Sequence, residues 1–278
     1  MPCPHLTSAR YPPPPGVRKP RNRCTDSSGT AVRKPPEPPV WWHQDEVPAR
    51  HGELRMPTGD VDLVIDLGKE RALVSGPSTL AFLLSFAERR QVMGAVFRIG
   101  GAARLFGVPL GELRDRHVPL PELWGSAGWE LLERPLAASR AEAKLNALEQ
   151  ALSTRLGHTS DSGHPVTGRA AAQIARHPER CRIDELSEAL GLSARRLEQL
   201  FRTEVGLTPK AYQRLHRFRS ALAGIDRAAE IGWASFALER GYYDQAHLIG
   251  EFRAHSGLTP SQYLSSRGAE LNHVPVSA

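Results

Sequence analysis

One stretch of this chain is written twice. Leu197-Glu-Gln-Leu-Phe-Arg-Thr-Glu-Val-Gly-Leu-Thr-Pro-Lys-Ala-Tyr212 returns as Leu248-Ile-Gly-Glu-Phe-Arg-Ala-His-Ser-Gly-Leu-Thr-Pro-Ser-Gln-Tyr263, at a fixed offset of 51 residues from Leu197 to Leu248. Phe201/Phe252, Arg202/Arg253, both Gly-Leu-Thr-Pro runs and Tyr212/Tyr263 keep that register. A repeat of this length marks a duplicated supersecondary unit. Whatever else the chain does, it must fold two copies of one helical device.

Each copy can be read locally. Leu and Phe recur at helical spacing and give one apolar stripe. Gly206 and Gly257 stand where a helix stops. Thr208-Pro209 and Thr259-Pro260 then open another helix, with Thr as N-cap and Pro at the first helical position. Upstream of the first copy, Asp184 to Gly191 is a short helix, Leu192-Ser193 a turn, and Ser193 the cap of a helix from Ala194. Upstream of the second, Trp233 to Gly241 does the same and Asp244 caps. Helix, tight turn, helix is the helix-turn-helix pattern. Two such units joined by a helix from about Pro209 to Ile225 can offer recognition helices to successive major grooves, about 34 Å apart.

The stripe assigns the outward side chains. Leu197, Leu200 and Phe201 face inward, which leaves Arg195, Glu198 and Gln199 to read bases: Arg suits guanine, Gln adenine, Glu the cytosine amino group. In the second unit Gln245, Ala246 and Ile249 take that place. Only Gln245 is strongly polar; Ala246 and Ile249 suit a thymine methyl. Ser193, Arg196, Arg202, His247 and Arg253 are the expected phosphate contacts, which position without specifying. Arg214, Arg217 and Arg219 on the connecting helix fit solvent or DNA equally. Trp233, Phe236 and Tyr242 read as core.

Residues 167–266 resemble the DNA-binding domain of the AraC/XylS family of bacterial transcription regulators. The resemblance rests on Gly191-Leu-Ser-(x)3-Leu-(x)3-Phe201, on Gly241-Tyr-Tyr-Asp-Gln-Ala-His-Leu-Ile-Gly-Glu-Phe-Arg253, and on Gly257-Leu-Thr-Pro-(x)2-Tyr263. It implies a sequence-specific regulator that binds double-stranded DNA. It further implies RNA polymerase as a partner, a small-molecule effector at the N-terminal domain, and a homodimer. Residues 57–125 resemble the N-terminal domain of one AraC-like subgroup through Pro57-Thr-Gly-Asp-Val-Asp-Leu63, Gly94 to Ala103, Phe106-Gly-Val-Pro109 and Leu123-Trp-Gly125. Ile99 stands where that subgroup has Pro.

The rest of the chain divides by texture. Residues 1–39 hold eleven of the 23 prolines and almost no apolar periodicity, so a disordered, basic tail is expected. Val61 to Leu67, Ala72 to Pro77 and Met93 to Ile99 read as strands, and Ala102 to Phe106 as a short helix. Residues 40–156 are therefore a β-rich sensor or dimerisation domain with appended helices. Leu145, Leu148, Leu152 and Leu156 put one stripe on a helix spanning 139–156, which either closes this domain or pairs two chains. Residues 157–165 form the linker, 166–267 the all-α double helix-turn-helix domain, and 268–278 a flexible tail. The fold class is α+β. Residues 165–278 are expected to fold alone and bind DNA.

Several classes are set aside. No apolar run is long enough for a membrane span, and the N-terminus has no signal-peptide core. Three scattered cysteines, Cys3, Cys24 and Cys181, suit a reducing cytoplasm. Cys3, His5 and Cys24 have no zinc spacing. Asp60, Asp62 and Asp66 share a strand face, but no nucleophile, phosphate loop or His/Cys cluster joins them. Solvated strand residues or turn caps explain them better than a cation or acid-base site, and His117 stands alone. No metal, cofactor or catalytic residue is expected. Positive charge sits in the tail and the C-terminal block, while residues 56–165 carry twelve basic against thirteen acidic residues. The chain's net charge of +6 is compatible with a nucleic-acid partner. Two alternatives stay open. One is a repair methyltransferase-like enzyme fused to a DNA-binding domain, which needs a reactive cysteine; Cys181, placed at that domain's first helix, is a poor one. The other is a non-specific architectural DNA-binding protein.

Overall fold

The computed structural model describes residues 39–47, 50–86, 90–97, 99–157, 165–227, 231–267 and 273–275. Nearly all of the expected Pro-rich tail, and most of the linker, lie outside them.

The N-terminal half is built on two antiparallel sheets. Strands β1 (Val40–Val47), β2 (Arg50–Arg55), β3 (Val61–Asp66), β4 (Arg71–Ser75), β5 (Phe82–Phe86) and β6 (Arg90–Phe97) precede helix α1 (Ala102–Phe106), a 3₁₀ turn (Leu110–Glu112) and β7 (His117–Pro119). Five strands pair in the order β1-β6-β3-β4-β7. Helices α2 (Leu120–Trp124), α3 (Ser126–Ala137) and α4 (Ala141–Gly157) follow. The odd residues of β3, Val61, Leu63 and Ile65, share a core with Leu105 of α1, Leu131 of α3 and Leu148 and Leu152 of α4. Leu148 and Leu152 are fully buried, and Leu145 and Leu156 pack against the same core. The α4 stripe thus closes its own domain, the first of its two expected uses. Burying each leucine stabilises the domain by roughly 1.5–3 kcal/mol.

Two of the three aspartates have defined partners, and one of them is a turn cap as expected. Asp62 is 6 % exposed and pairs with Arg55 of β2 at 3.2 Å. Burial pushes its carboxyl up, against the pull of Arg55. Asp66 caps the hairpin turn by accepting from the Lys69 backbone N–H at 3.1 Å. His117 is not alone either: its Nδ1 lies 2.8 Å from Ser75 Oγ, directly across the β4–β7 ladder. Among the described residues no group of His, Cys, Asp and Glu gathers as a metal site.

Among the described residues the C-terminal half holds helices α5 (Pro165–Arg176), α6 (Ile183–Ala189), α7 (Ala194–Glu204), α8 (Pro209–Arg227), α9 (Trp233–Glu239), α10 (Gln245–Ser256) and α11 (Pro260–Ser266). Both repeats fall as expected, α7 and α10 being the duplicated helices and α8 the connector. Phe201, Phe218 and Phe252 are fully buried in one core shared by both units. Cys181 lies between α5 and α6, not in the first helix.

Two features depart from the expected division. Met56, from the turn after β2, is 1 % exposed and belongs to the C-terminal core that also holds Leu215 and Phe218. In the other direction β8 (His273–Pro275) pairs antiparallel with β2, completing a three-stranded sheet in the order β5-β2-β8. Residues 268–278 were expected to be a flexible tail; for 273–275 that is corrected. β8 pairs with the edge of β2 that β5 does not cover, and Val274, 2 % exposed, belongs to the core that holds Met56. The C-terminal half is therefore not wholly α, and its core is completed from the N-terminal half.

The seam touches both repeats. Arg219 of α8 donates to the Thr58 carbonyl at 2.8 Å. Gly59, at φ +73°, lies against Leu215; a Cβ there would come within 2.5 Å of the leucine's Cδ2. Pro77 packs on Gly206, and Gly111 on the carbonyl of Arg202 at the end of α7. At the end of α10, His255 Nδ1 donates to the Thr79 carbonyl at 2.7 Å, and the Ala81 N–H donates to the His255 carbonyl at 2.7 Å. Those free carbonyls need partners, and the N-terminal half supplies one.

Candidate nucleic-acid interface

The inner faces of the two units are nearly superposable in chemistry. Gly191 has φ +68° and Gly241 φ +74°. Leu192 N–H donates to the Ser187 carbonyl at 3.0 Å, and Tyr242 N–H to the Ala237 carbonyl at 3.0 Å, so the two turns close alike. Ser193 accepts from the Arg196 N–H at 3.2 Å, and Asp244 from the His247 N–H at 2.7 Å. Both caps satisfy a free N–H of the first turn.

The outer faces differ. On α7, Arg195, Arg196, Glu198, Gln199 and Arg202 are all exposed. Arg202 forks onto Glu198 Oε1 at 2.7 and 3.0 Å, and Arg196 donates to Gln199 Oε1 at 2.9 Å. Four of the five expected contact residues of this helix are thus ordered in pairs along its surface. On α10, Gln245, Ala246 and Gly250 are exposed and Ile249 is half-buried. Gly250 has open space around it, so nothing but a hydrogen projects there. Arg253 is exposed one turn before the helix ends. Ser193 Oγ serves as the cap, and the ring nitrogens of His247 face Tyr243 N–H at 3.1 Å and Glu251 at 3.7 Å.

A residue the sequence reading missed fixes the second unit. Glu251, where the first unit has Leu200, accepts from Arg214 at 2.6 Å and Arg217 at 2.8 Å, tying α10 to α8. Burial raises its pKa, but the hydrogen bond and charge of Arg217, then those of Arg214, outweigh this and hold the carboxyl low. Arg217 also lies 5.1 Å from the centre of the Tyr242 ring, a buried tyrosine as expected. Hence Arg214 and Arg217 brace the helices, and Arg219 binds the N-terminal half. The signal was available: an acidic residue inside an otherwise apolar stripe needs a buried partner.

Two helix-turn-helix units on one connector, each with a capped second helix facing outward, define a DNA-binding protein. The helix-turn-helix domain family matches residues 186–266. The family described as "Domain of unknown function (DUF6597)" matches residues 40–119. Residues 186–266 are therefore a helix-turn-helix domain of the AraC type, and the chain is a DNA-binding transcription regulator. No curated protein matches it. Solved structures that resemble it include an AraC-type transcriptional regulator from Chromobacterium violaceum (23 % identity, 38 % of this chain and 94 % of that one, TM-score 0.35). Others are the C-terminal domain of AraT from Geobacillus stearothermophilus (21 %, 40 % and 92 %, TM-score 0.36) and ToxT from Vibrio cholerae (11 %, 81 % and 93 %, TM-score 0.40).

Proposed function

We propose that the protein reads a specific operator with α7 while α10 grips the adjoining groove, the two helices entering successive major grooves of duplex DNA. The observation that carries this is the contrast of burial on one helix: Leu197, Leu200 and Phe201 are buried while Arg195, Glu198 and Gln199 stand in solvent. Base-edge hydrogen bonding needs such side chains. An architectural protein has no use for them. Arg196, Arg202 and Arg253 are the phosphate contacts on this reading, Arg202 exchanging Glu198 for a phosphate oxygen.

Enzymatic chemistry has little support in this fold. Burial and the nearby charge of Glu185 push the Cys181 thiol up, away from the thiolate that alkyl transfer requires. Regulation is better served by the seam. A small-molecule effector bound by the N-terminal half would act on both repeats at once, through Gly111 against Arg202 of α7 and Thr79 against His255 of α10. The cleft between Glu112, Arg114, Arg202 and Thr203 is one place for it. Dimerisation would need a surface other than the buried α4 stripe. No helix among the described residues is long and apolar enough to cross a membrane. The reading places the protein in the cytoplasm, with RNA polymerase as its downstream partner.

Selection of bound duplexes from a random pool by the full-length protein tests this. Two enriched elements about one helical turn apart are expected. Recovery of no preferred sequence would leave the architectural reading in its place.

A further inference from the structure

The offset between the repeats changes inside the second turn. Gly191 and Leu192 correspond to Gly241 and Tyr242 at an offset of 50, by the matching glycine conformations and the matching turn hydrogen bonds. Ser193 and Leu197 correspond to Asp244 and Leu248 at 51, by cap and by register. One residue has been inserted, and it is Tyr243. Its side chain is 84 % exposed, the highest value among the exposed large apolar residues of the described chain.

The inserted residue is held, not loose. Its N–H donates to His247 Nδ1 at 3.1 Å, and the His247 N–H in turn donates to the Asp244 carboxylate at 2.7 Å. The His247 ring packs edge-on against Tyr242 at 5.6 Å, and Tyr242 is buried. The chain therefore sends one tyrosine inward and the next outward, immediately before the Asp244 cap of α10. That point is the lip of the groove α10 enters. A tyrosine offers area at little entropic cost, and its hydroxyl suits an anionic oxygen. The α10 face beside it is Gln245, Ala246 and Gly250, which lets a duplex approach closely.

We propose that Tyr243 is a DNA-backbone contact: its hydroxyl donates to a phosphate oxygen at the edge of the groove entered by α10, with the ring against the adjoining deoxyribose. The proposal rests on the DNA-binding reading above. It gives the second unit an anchor that the first, with its shorter turn, lacks.

The test uses full-length protein and duplexes recovered from the random pool, read by fluorescence anisotropy. Tyr243→Phe is expected to bind roughly 3–10-fold more weakly, and Tyr243→Ala roughly 10–50-fold. Both losses should be equal across a panel of single-base variants. The salt dependence should be unchanged, because a neutral donor releases no counterion. Thermal unfolding should match the wild type, since the side chain is in solvent; if the alanine variant does not fold, the phenylalanine variant decides. Equal affinity of wild type and variants overturns the proposal. A loss confined to one base pair overturns it in favour of base reading. Intact DNA binding with reduced transcription by RNA polymerase overturns it in favour of a protein contact. Failure of the wild type to bind any duplex would instead overturn the DNA-binding reading itself.

Discussion

The two helix-turn-helix units share a core and differ in almost everything that core does not fix. Inside, Leu197 and Leu248, Phe201 and Phe252, and Tyr212 and Tyr263 are buried in matching pairs. Outside, the groove-facing part of α7 carries Arg195, Glu198 and Gln199, and that of α10 Gln245, Ala246 and Gly250. Even within the stripe, Leu200 of the first unit becomes Glu251 in the second, and an apolar contact becomes an ionic brace to α8. Duplication preserves what the scaffold needs, namely the glycine turn, the cap and the inward Leu/Phe pair. The outward residues are free to diverge, because surface positions away from caps and cores cost little to change.

The severest way to break the comparison is to empty the shared core. Phe201→Ala and Phe252→Ala should each destabilise the protein by about 3–5 kcal/mol, with a single denaturant transition. Two separate transitions would show the units to be independent folds.

A smaller effect separates the units. Glu251→Gln should cost about 2 kcal/mol at neutral pH, by leaving Arg217 buried without its counter-charge; Leu200→Gln probes no such pair. The carboxyl of Glu251 is held below its ordinary value of 4.5. Its contribution is therefore present above that value and lost as the pH falls through the lower, folded one. The stability gap between wild type and Glu251→Gln should close below about pH 4.5. A gap constant through that range would sink the assignment.

The smallest effect concerns reading. Arg195→Ala should relax preference at one base pair by roughly 1–3 kcal/mol, and Gln245→Ala by less than about 1 kcal/mol. Arg195→Ala weakening all sequences equally would make it a phosphate contact and remove the asymmetry.

Most of the C-terminal scaffold was legible because the repeat states it twice and because Ser193, Asp244 and Thr259 are strong caps. The strands at Val61, Ala72 and Met93 were legible from β-branched runs between glycines. The extra residue in the second turn was also legible, as the change of offset from 50 to 51, but composition gave no reason to look for it. What local pattern could not show is which side chains pair. Nothing about Arg55 predicts Asp62 as its partner, and Arg214 and Arg217 gave no sign of their shared carboxylate. Nor does a methionine in a Pro-Thr-Gly-Asp turn announce that it belongs to another core. Burial of a titratable group at such a seam also has consequences of its own. His216 of α8 is half-buried, and its partial burial and the charge of Arg219 hold it down to about 3, so it stays neutral in the folded chain. Stability from that neutrality is complete above the ordinary imidazole value and falls as acid protonates the unfolded chain first.

The exchange of segments at the seam bears on the order of synthesis. On a ribosome the strands β2 and β5 emerge early, and a two-stranded ribbon is marginal by itself. Its third strand, β8, is made only after both DNA-binding units have been translated. Met56 likewise waits, exposed, for a core that does not yet exist. The N-terminal half can therefore be finished only when the C-terminal half is present to finish it. A nascent chain interrupted between the two would display a bare strand edge and an unburied methionine, the features by which chaperones and proteases recognise incomplete proteins.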